Sequence, residues 1–423
     1  MVRTVRSRRT RCGQCLGIAV AFALGIAIGI LAHSDGFVPP YTLFPYDKGS
    51  AGRAQHASSY LPAESSQQQH LVWQRGRLPR LLFMTASYTQ NQFSSLQKTL
   101  DCMRDHCNAG WNVTVVIQTA YDFDKASDPR YEELRDRLYC ATTKENMPLI
   151  IEPFGKIGFG LNSRHRIYLR AHVHEYDYFS YAEEDMLLTV SHMTAYLQAE
   201  RELKMTFPKT WVRYQIGFLR WEDSSAQDCE RVSWEYFPDK IHAVDIYKGN
   251  QGPEPRRPLQ GIYIVTNNLN QAIYVLSREH VLDLDERCAF LTDIGQNPFF
   301  RELRRAMDKD WKYLSAGVSE WSSSYQQILQ CGLRRLVPAE HIQSYMIHHA
   351  ENKAQKRRLR SELLTARDWL KIVAEKAKAP ITVEEAYNEI IYHQYNLHLI
   401  EPQKFAGASS WSWGVEVEQP HIA

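Results

Sequence analysis

Residues 176–186 of this 423-residue chain read YDYFSYAEEDM. Aromatic and small residues that suit a buried strand lead directly into three acids, Glu183, Glu184 and Asp185. Adjacent carboxylates repel one another, and a bound cation offsets that repulsion. Because ligands of open α/β sheets sit beyond the carboxyl ends of the strands, the stretch predicts a binding site at the end of a strand.

The spacing of these acids favours a metal ion as the ligand. Glu183 and Asp185, at positions i and i+2, would share one hard cation, with diphosphate oxygens filling its other positions. The alternative is a helix over EDMLLTVSHMTAYL (184–197), whose N-terminus would favour negative charge. A literal D-x-D pair, Asp122 and Asp124, also follows a predicted strand and is the second candidate for the metal site.

Outward from the acids, strands and helices alternate. RLLFMTASY (80–88) holds a continuous apolar run of the kind found in parallel sheets, and WNVTVVIQTA (111–120) is rich in β-branched residues. Between them, apolar residues recur at helical spacing from Phe93 to Met103. Strand, helix and strand in this succession form a βαβ unit. The fold class is therefore α/β, with one Rossmann-like domain around a mixed, mostly parallel sheet.

The rest of the chain continues this pattern. Strands are expected in MPLIIEPFG (147–155), WVRYQIGFLRWE (211–222) and HIQSYMIHHAENK (341–353). Helices are expected in SRHRIYLRAHVHEY (163–176), in EWSSSYQQILQCG (320–332), where Gly332 ends the helix, and around residues 358–378. GIYIVTNNLNQAIYVLSREHV (261–281) predicts a strand, a turn, a second strand and the start of a helix.

The N-terminus predicts a membrane anchor. Residues 1–14 carry five arginines and no acid, and residues 15–32 carry no charge. Arginine before an apolar span favours a type II anchor with a cytosolic N-terminus and a lumenal domain. A signal peptide cleaved after Ala32 is the alternative. Residues 34–76, rich in Ser, Gln and Pro, then form a stem.

Composition limits the possible partners. A formal net charge of +2 argues against nucleic acid or another polyanion. Beyond the anchor lie six cysteines, which an oxidising lumen would allow to pair in any of several connectivities. NVT at Asn112 is the only N-glycosylation sequon, and its place inside a predicted strand argues against its use.

The layout resembles that of Golgi type II glycosyltransferases with the GT-A fold. In that family a D-x-D-type motif follows a strand, its last acid binds Mn²⁺ or Mg²⁺, and its first acid contacts the ribose or donor sugar. Glu183-Glu184-Asp185 would be an E-x-D version, with Asp185 as metal ligand. The resemblance implies a GT-A-like domain that moves a sugar from a nucleoside diphosphate sugar to a glycan or glycoprotein.

Further segments follow in the order that the family shows. NNLNQAIYVLSREHV (267–281) is similar to a strand–turn–strand element near the acceptor. SEWSSSYQQILQCGL (319–333) is similar to the helix start that carries the base of inverting members, which implies Glu320 in that role. IHHAENK (347–353) offers His348 or His349 as the C-terminal histidine that completes the metal shell.

Other residues complete or compete with this site. Glu222 and Asp223 in RWED are the rival candidates for the base. Arg164 and Arg166 would reach the diphosphate from the helix before the acids, with a solvated helix end as the alternative. Lys353 would stabilise the leaving group, and Glu183 and Glu184 would contact the donor.

These expectations divide the chain into a cytosolic tail (1–14), a transmembrane anchor (15–33), a stem (34–76), a catalytic domain (77–353) and a C-terminal helical extension with a tail (354–423). The protein would lie in the Golgi or ER membrane, with its catalytic domain in the lumen. The alternative is an inactive lumenal glycan-binding or scaffolding protein, which Trp321 favours because a second acid is common at that position. A metallohydrolase would need a richer set of His and Asp residues.

Overall fold

The computed structural model describes residues 78–121, 128–155, 158–221, 232–233, 241–248, 259–266, 272–292, 321–351 and 364–397. All of them lie in one compact unit, Ser65–Ala423. The predicted anchor and stem fall outside these residues. Among the helices that the structure describes, none is both long and apolar enough to cross a membrane.

Sixteen strands are described, together with seven α-helices and one π-helix. The strands are β1 (Arg80–Ser87), β2 (Asn112–Thr119), β3 (Tyr139–Cys140), β4 (Glu145–Asn146), β5 (Leu149–Pro153), β6 (Tyr178–Glu183), β7 (Met186–Leu187), β8 (Tyr214–Ile216), β9 (Leu219–Trp221), β10 (Val232–Ser233), β11 (Ile241–Asp245), β12 (Ile262–Thr266), β13 (Ile273–Ser277), β14 (Arg334–Pro338), β15 (Met346–His349) and β16 (Leu364–Thr365). The helices are α1 (Phe93–Asn108), α2 (Pro129–Arg137), α3 (His165–His172), α4 (Val190–Thr206), α5 (Arg278–Cys288), the π-helix (Trp321–Gln330), α6 (Ala366–Lys376) and α7 (Val383–Leu397).

The main sheet has five strands in the order β13-β6-β1-β2-β5. β1 is parallel to both β2 and β6, β5 is parallel to β2, and β13 is antiparallel to β6. The predicted α/β class with a mixed, mostly parallel sheet is confirmed. The chain runs from β1 outward to β2 and β5, then returns to the other side of β1 for β6. The topological switch point of the sheet, where ligands bind in such folds, therefore lies between β1 and β6.

Apolar side chains cover both faces of the main sheet. On one face Leu81 and Phe83 of β1 belong to the core cluster that includes the buried residues of α1 and α4. On the other face Leu82 and Met84 belong to a second cluster that includes Leu169 of α3. Because both faces are buried, β1 is a continuous apolar run instead of an alternating one.

Two smaller sheets differ from the sequence-based expectations. A four-stranded sheet has the order β11-β12-β14-β8, and a three-stranded sheet has the order β7-β15-β9. The single half-buried strand predicted over 211–222 is wrong, because β8 and β9 lie in different sheets and residues 215–221 are all buried. Over residues 261–281 the two predicted strands and the predicted helix start are confirmed as β12, β13 and α5, and the predicted turn lies outside the described residues. β12 and β13 pair with strands of different sheets.

Helix boundaries also differ from the predictions. The alternative helix over residues 184–197 is wrong at its start, because α4 begins only at Val190, where Thr189 and His192 form a capping box. The predicted helix at 320–332 is a π-helix, followed by Gly332 at a positive φ of 68°. Near the C-terminus the predicted helix is α6, and α7 was not predicted. The Tyr387 hydroxyl of α7 donates to the Arg335 carbonyl oxygen at 2.7 Å, which joins α7 to β14.

Two disulfides join helix ends to neighbouring elements. Cys107 at the end of α1 pairs with Cys140 of β3, and Cys288 at the end of α5 pairs with Cys331 just after the π-helix. Cys102 has a free thiol within the described part of the chain. Four of the six cysteines beyond the predicted anchor are therefore oxidised, which is typical of proteins of an oxidising compartment.

Two buried histidines make stability depend on pH. Burial lowers the pKa of both His106 and His280 to about 4. Each ring donates from Nε2 to a carbonyl oxygen, that of Leu188 at 3.1 Å and that of Tyr214 at 2.9 Å. In the unfolded chain a histidine has a pKa near 6.5, so the unfolded state binds more protons between pH 6.5 and 4. Protonation in that window therefore favours unfolding.

We expect the free energy of unfolding to fall as the pH drops from 6.5 to 4, by about 3 kcal/mol per buried histidine. His106→Gln, which keeps a donor but does not titrate, should show a smaller fall in urea titrations across this range. The exposed His174→Gln is the matched control, because it removes a histidine from the surface. An identical pH profile in His106→Gln and the wild type would contradict the assignment.

Candidate functional site

The three acids lie at the switch point of the main sheet. Glu183 is the last residue of β6, and Glu184 and Asp185 form the turn that leads into β7. The carboxyl end of β1 lies beside them, since Ala86 pairs with Glu183 in the sheet register. The structure thus brings the acids to the edge where an open α/β sheet binds its ligands.

Asp185 contacts a histidine that lies 164 residues further along the chain. Its Oδ2 lies 3.0 Å from Nε2 of His349, and the two side chains are 0% and 2% exposed. The small sheet causes this contact, because β15 pairs antiparallel with β7 and sets His349 opposite Met186. The backbone N–H of Ala350 also donates to the carbonyl oxygen of Asp185 at 2.8 Å.

The two adjacent histidines have different surroundings. His349 faces Asp185, whereas the His348 ring stacks on Trp221 of β9 with ring centroids 4.2 Å apart. Neighbouring residues of a strand point to opposite faces, so the two rings cannot serve the same ligand. Of the two metal-ligand candidates, only His349 contacts Asp185 among the described interactions.

Glu184 is held between α1 and the end of β1. Its carbonyl oxygen accepts from Thr99 Oγ1 at 2.8 Å, and its Oε1 accepts from the backbone N–H of Tyr88 at 3.4 Å. Burial raises the pKa of Tyr121, and the negative charge of Glu184 adds to that rise. The Glu184 carboxylate therefore lies near both Tyr88 and Tyr121, at the carboxyl ends of β1 and β2.

The predicted arginines lie at α3. The Arg166 side chain is 1% exposed, donates to Gln326 Oε1 at 2.5 Å and lies over the Phe290 ring. Arg164 occupies the N-cap position of α3 without a capping hydrogen bond from its side chain, and its guanidinium lies 5.5 Å from the Phe154 ring centroid. Arg166 therefore does not belong to a solvated helix end, and its contact with a diphosphate stays a prediction.

Several candidates fall outside the described residues: Glu320, Glu222, Asp223, Lys353, Asp122 and Asp124. Two of these residues are direct sequence neighbours of described elements. Glu320 directly precedes the π-helix, and Glu222 directly follows β9, whose Trp221 stacks on His348.

Sequence reasoning missed a group of polar side chains on the face of β6 opposite the first core cluster. We define the buried polar cluster as His165, Tyr181, Tyr274 and Gln326. The His165 ring stacks on Tyr181 at 4.3 Å and lies 5.5 Å from Tyr274. All four side chains are buried. The cluster depends on the pairing of Tyr181 in β6 with Tyr274 in β13, which no local sequence signal specifies.

Several polar atoms of the cluster lack a hydrogen-bond partner among the described residues. Both tyrosine hydroxyls, His165 Nε2 and Gln326 Nε2 have no hydrogen-bond partner in the part of the chain that the structure describes. Burial, and then the positive charge of Arg166, lowers the pKa of His165, so its ring is neutral. Nδ1 donates to the Asn162 carbonyl oxygen, which leaves Nε2 as an acceptor.

The cluster adjoins the acids. Burial raises the pKa of Tyr181, and the charges of Glu183 and Glu184 are among the further causes. The Tyr88 hydroxyl also donates a hydrogen bond to Asn162 Oδ1. Tyr88 is the residue directly after β1. The switch point thus has a charged part, formed by the acids and His349, and a neutral part with hydroxyl, imidazole and amide groups.

No protein-family model matches this chain, and no curated protein matches it in sequence.

The donor atoms around Asp185 fit a divalent cation in part. A carboxylate oxygen and an imidazole nitrogen suit an ion such as Mn²⁺. The ligand nitrogen must be deprotonated, so metal binding would replace the hydrogen bond between Asp185 and His349. Within the described ranges, no three His, Cys, Asp or Glu side chains form a metal-binding group, so a substrate such as a diphosphate would have to fill the other positions.

We expect Tyr274→Phe to leave the stability unchanged or raise it by about 1 kcal/mol, because a buried hydroxyl without a partner carries a desolvation cost. Tyr387→Phe is the matched control. Its hydroxyl donates to the Arg335 carbonyl oxygen, so its loss should cost about 1 kcal/mol. Urea denaturation measures both variants. A clear destabilisation by Tyr274→Phe would show that its hydroxyl is bonded in the free protein.

Proposed function

We propose that this chain is a metal-dependent glycosyltransferase that moves a sugar from a nucleoside diphosphate sugar to a glycan or glycoprotein. The observation that carries the proposal is the contact between Asp185 and His349 at the switch point of the sheet. The resemblance of the sequence to GT-A enzymes implies these same two residues as metal ligands. The mixed, mostly parallel main sheet is compatible with the GT-A fold.

In this proposal each residue has a stated part. Asp185 and His349 would hold Mn²⁺ or Mg²⁺, and that ion would supply Lewis-acid stabilisation of negative charge on the diphosphate. Glu183 contacts the donor from the end of β6. Glu320, which directly precedes the π-helix in the sequence, accepts the proton of the acceptor hydroxyl.

The two disulfides support a lumenal location. Cys107–Cys140 and Cys288–Cys331 suit an oxidising compartment, and residues 15–33 would anchor the protein in the Golgi or ER membrane. In this orientation the folded domain is lumenal, where nucleotide sugars and glycoprotein acceptors meet.

A second candidate is a glycan-binding protein without catalytic activity. Trp321 favours it, because the family that the sequence resembles commonly carries a second acid at this position. A donor-hydrolysis assay with a panel of nucleoside diphosphate sugars, with and without Mn²⁺, separates the two. Metal-dependent hydrolysis supports the transferase, whereas glycan binding without any hydrolysis supports the second candidate.

We expect Asp185→Asn to lower metal-dependent turnover by at least about 100-fold, because loss of a mere outer-shell partner already costs about 10–100-fold. Mn²⁺ affinity, measured by calorimetry, should fall with it. The matched control is Asp177→Asn, at the other end of the same strand. Asp177 accepts from the Arg80 N–H at 3.0 Å and pairs with Arg278, so its loss should affect stability and leave turnover unchanged. Normal Mn²⁺ affinity in Asp185→Asn would move the metal site to Asp122 and Asp124.

We expect Glu320→Gln to lower kcat by about 10²–10⁴-fold, the usual contribution of a general base. Donor affinity in the presence of Mn²⁺ should stay unchanged, because Glu320 acts on the acceptor. Glu222→Gln is the control variant. Normal turnover in Glu320→Gln, with a large loss in Glu222→Gln, would transfer the role of base to Glu222.

A further inference from the structure

We infer that Asn112 is an N-glycosylation site. NVT at residues 112–114 is the only N-x-S/T sequence in the chain. A position inside a strand argued against its use, but the structure changes that expectation. The inference rests on the lumenal location given under the proposed function.

Asn112 lies at the one exposed position of its strand. It is the first residue of β2, its side chain is exposed, and the seven residues that follow are buried. The ladder uses only its backbone, since Asn112 pairs with Arg80 and its N–H donates to the Pro79 carbonyl oxygen at 2.9 Å. A glycan on the side-chain amide would therefore extend into solvent without breaking a hydrogen bond of the sheet.

Thr114 determines when the glycan must be added. Its side chain is 7% exposed in the folded domain, and its Oγ1 accepts from the Tyr176 hydroxyl at 2.9 Å. Because the sequon hydroxyl is buried after folding, transfer must precede the packing of β2. In that step the amide nitrogen of Asn112 bonds to C1 of a lipid-linked oligosaccharide, the C1–O bond to the lipid diphosphate breaks, and the amide loses one proton.

The glycan would leave the candidate active site open. β2 is parallel to β1, and β1 is parallel to β6, so Asn112 lies at the opposite end of the sheet from Glu183. In the register of β1, Arg80 beside Asn112 and Ala86 beside Glu183 are six residues apart, a distance of about 20 Å along the strand. Loss of the glycan should therefore leave turnover unchanged.

The experiment expresses the full chain in eukaryotic cells and maps glycopeptides by mass spectrometry before and after peptide N-glycosidase treatment. The wild type and Thr114→Ser, which keeps both the sequon and a hydroxyl, should carry a glycan at Asn112. Asn112→Gln should lack the glycan and should still show a cooperative thermal unfolding transition, which indicates that the variant is folded. A positive control adds Ala141→Asn to Asn112→Gln, which makes a new sequon with Thr143 at an exposed turn.

An unmodified Asn112 in the wild type overturns the inference. Two further measurements then show whether the proposed lumenal location fails as well. If the Ala141→Asn control carries a glycan, the chain reaches the lumen and the proposed location stands. If the control carries none and Cys107 and Cys140 are recovered as free thiols, the lumenal location fails as well. Disulfide mapping on the same samples supplies that second reading without any enzymatic assay.

Discussion

The hydrogen bond between Asp185 and His349 is the constraint on which the candidate site depends. Burying a carboxylate costs several kcal/mol unless hydrogen bonds replace its water. Asp185 is fully buried, and its partner comes from 164 residues further along the chain. The need of the buried Asp185 carboxylate for a hydrogen-bond partner thus determines where β15 lies. β15 must pair with β7 for the side chains of Asp185 and His349 to meet.

The sequence predicted the main sheet well because its physical signals are local. β1 and β2 are apolar runs, and the helix between them repeats its apolar residues at the spacing of a buried face. The position of the acids followed from the strand that precedes them. The break between β8 and β9 was not predictable, because side-chain alternation through Val212 to Phe218 does not show that the chain passes from one sheet to another. The pairing of Tyr181 with Tyr274 is likewise a long-range fact that neither strand specifies alone.

β6 separates two kinds of chemistry at the switch point. Strand alternation places Ala182 in the core cluster under α1 and α4, and Tyr181 in the cluster beside α3. The turn after the strand then carries Asp185 toward His349 and leaves Glu183 near the tyrosines. Charged groups and neutral hydrogen-bonding groups thus lie side by side around one strand end.

The π-helix links this neutral region to the rest of the domain. Gln326 accepts from Arg166 at 2.5 Å on the side of the main sheet, while Gln327 accepts from Arg335 of β14 at 3.3 Å in the four-stranded sheet. The wider turn of a π-helix is rare and is often found at functional sites. Cys331, directly after this helix, is tied to Cys288 of α5. Glu320 directly precedes this helix in the sequence, so the base role proposed for Glu320 depends on a helix that Arg166, Arg335 and the Cys288–Cys331 disulfide hold.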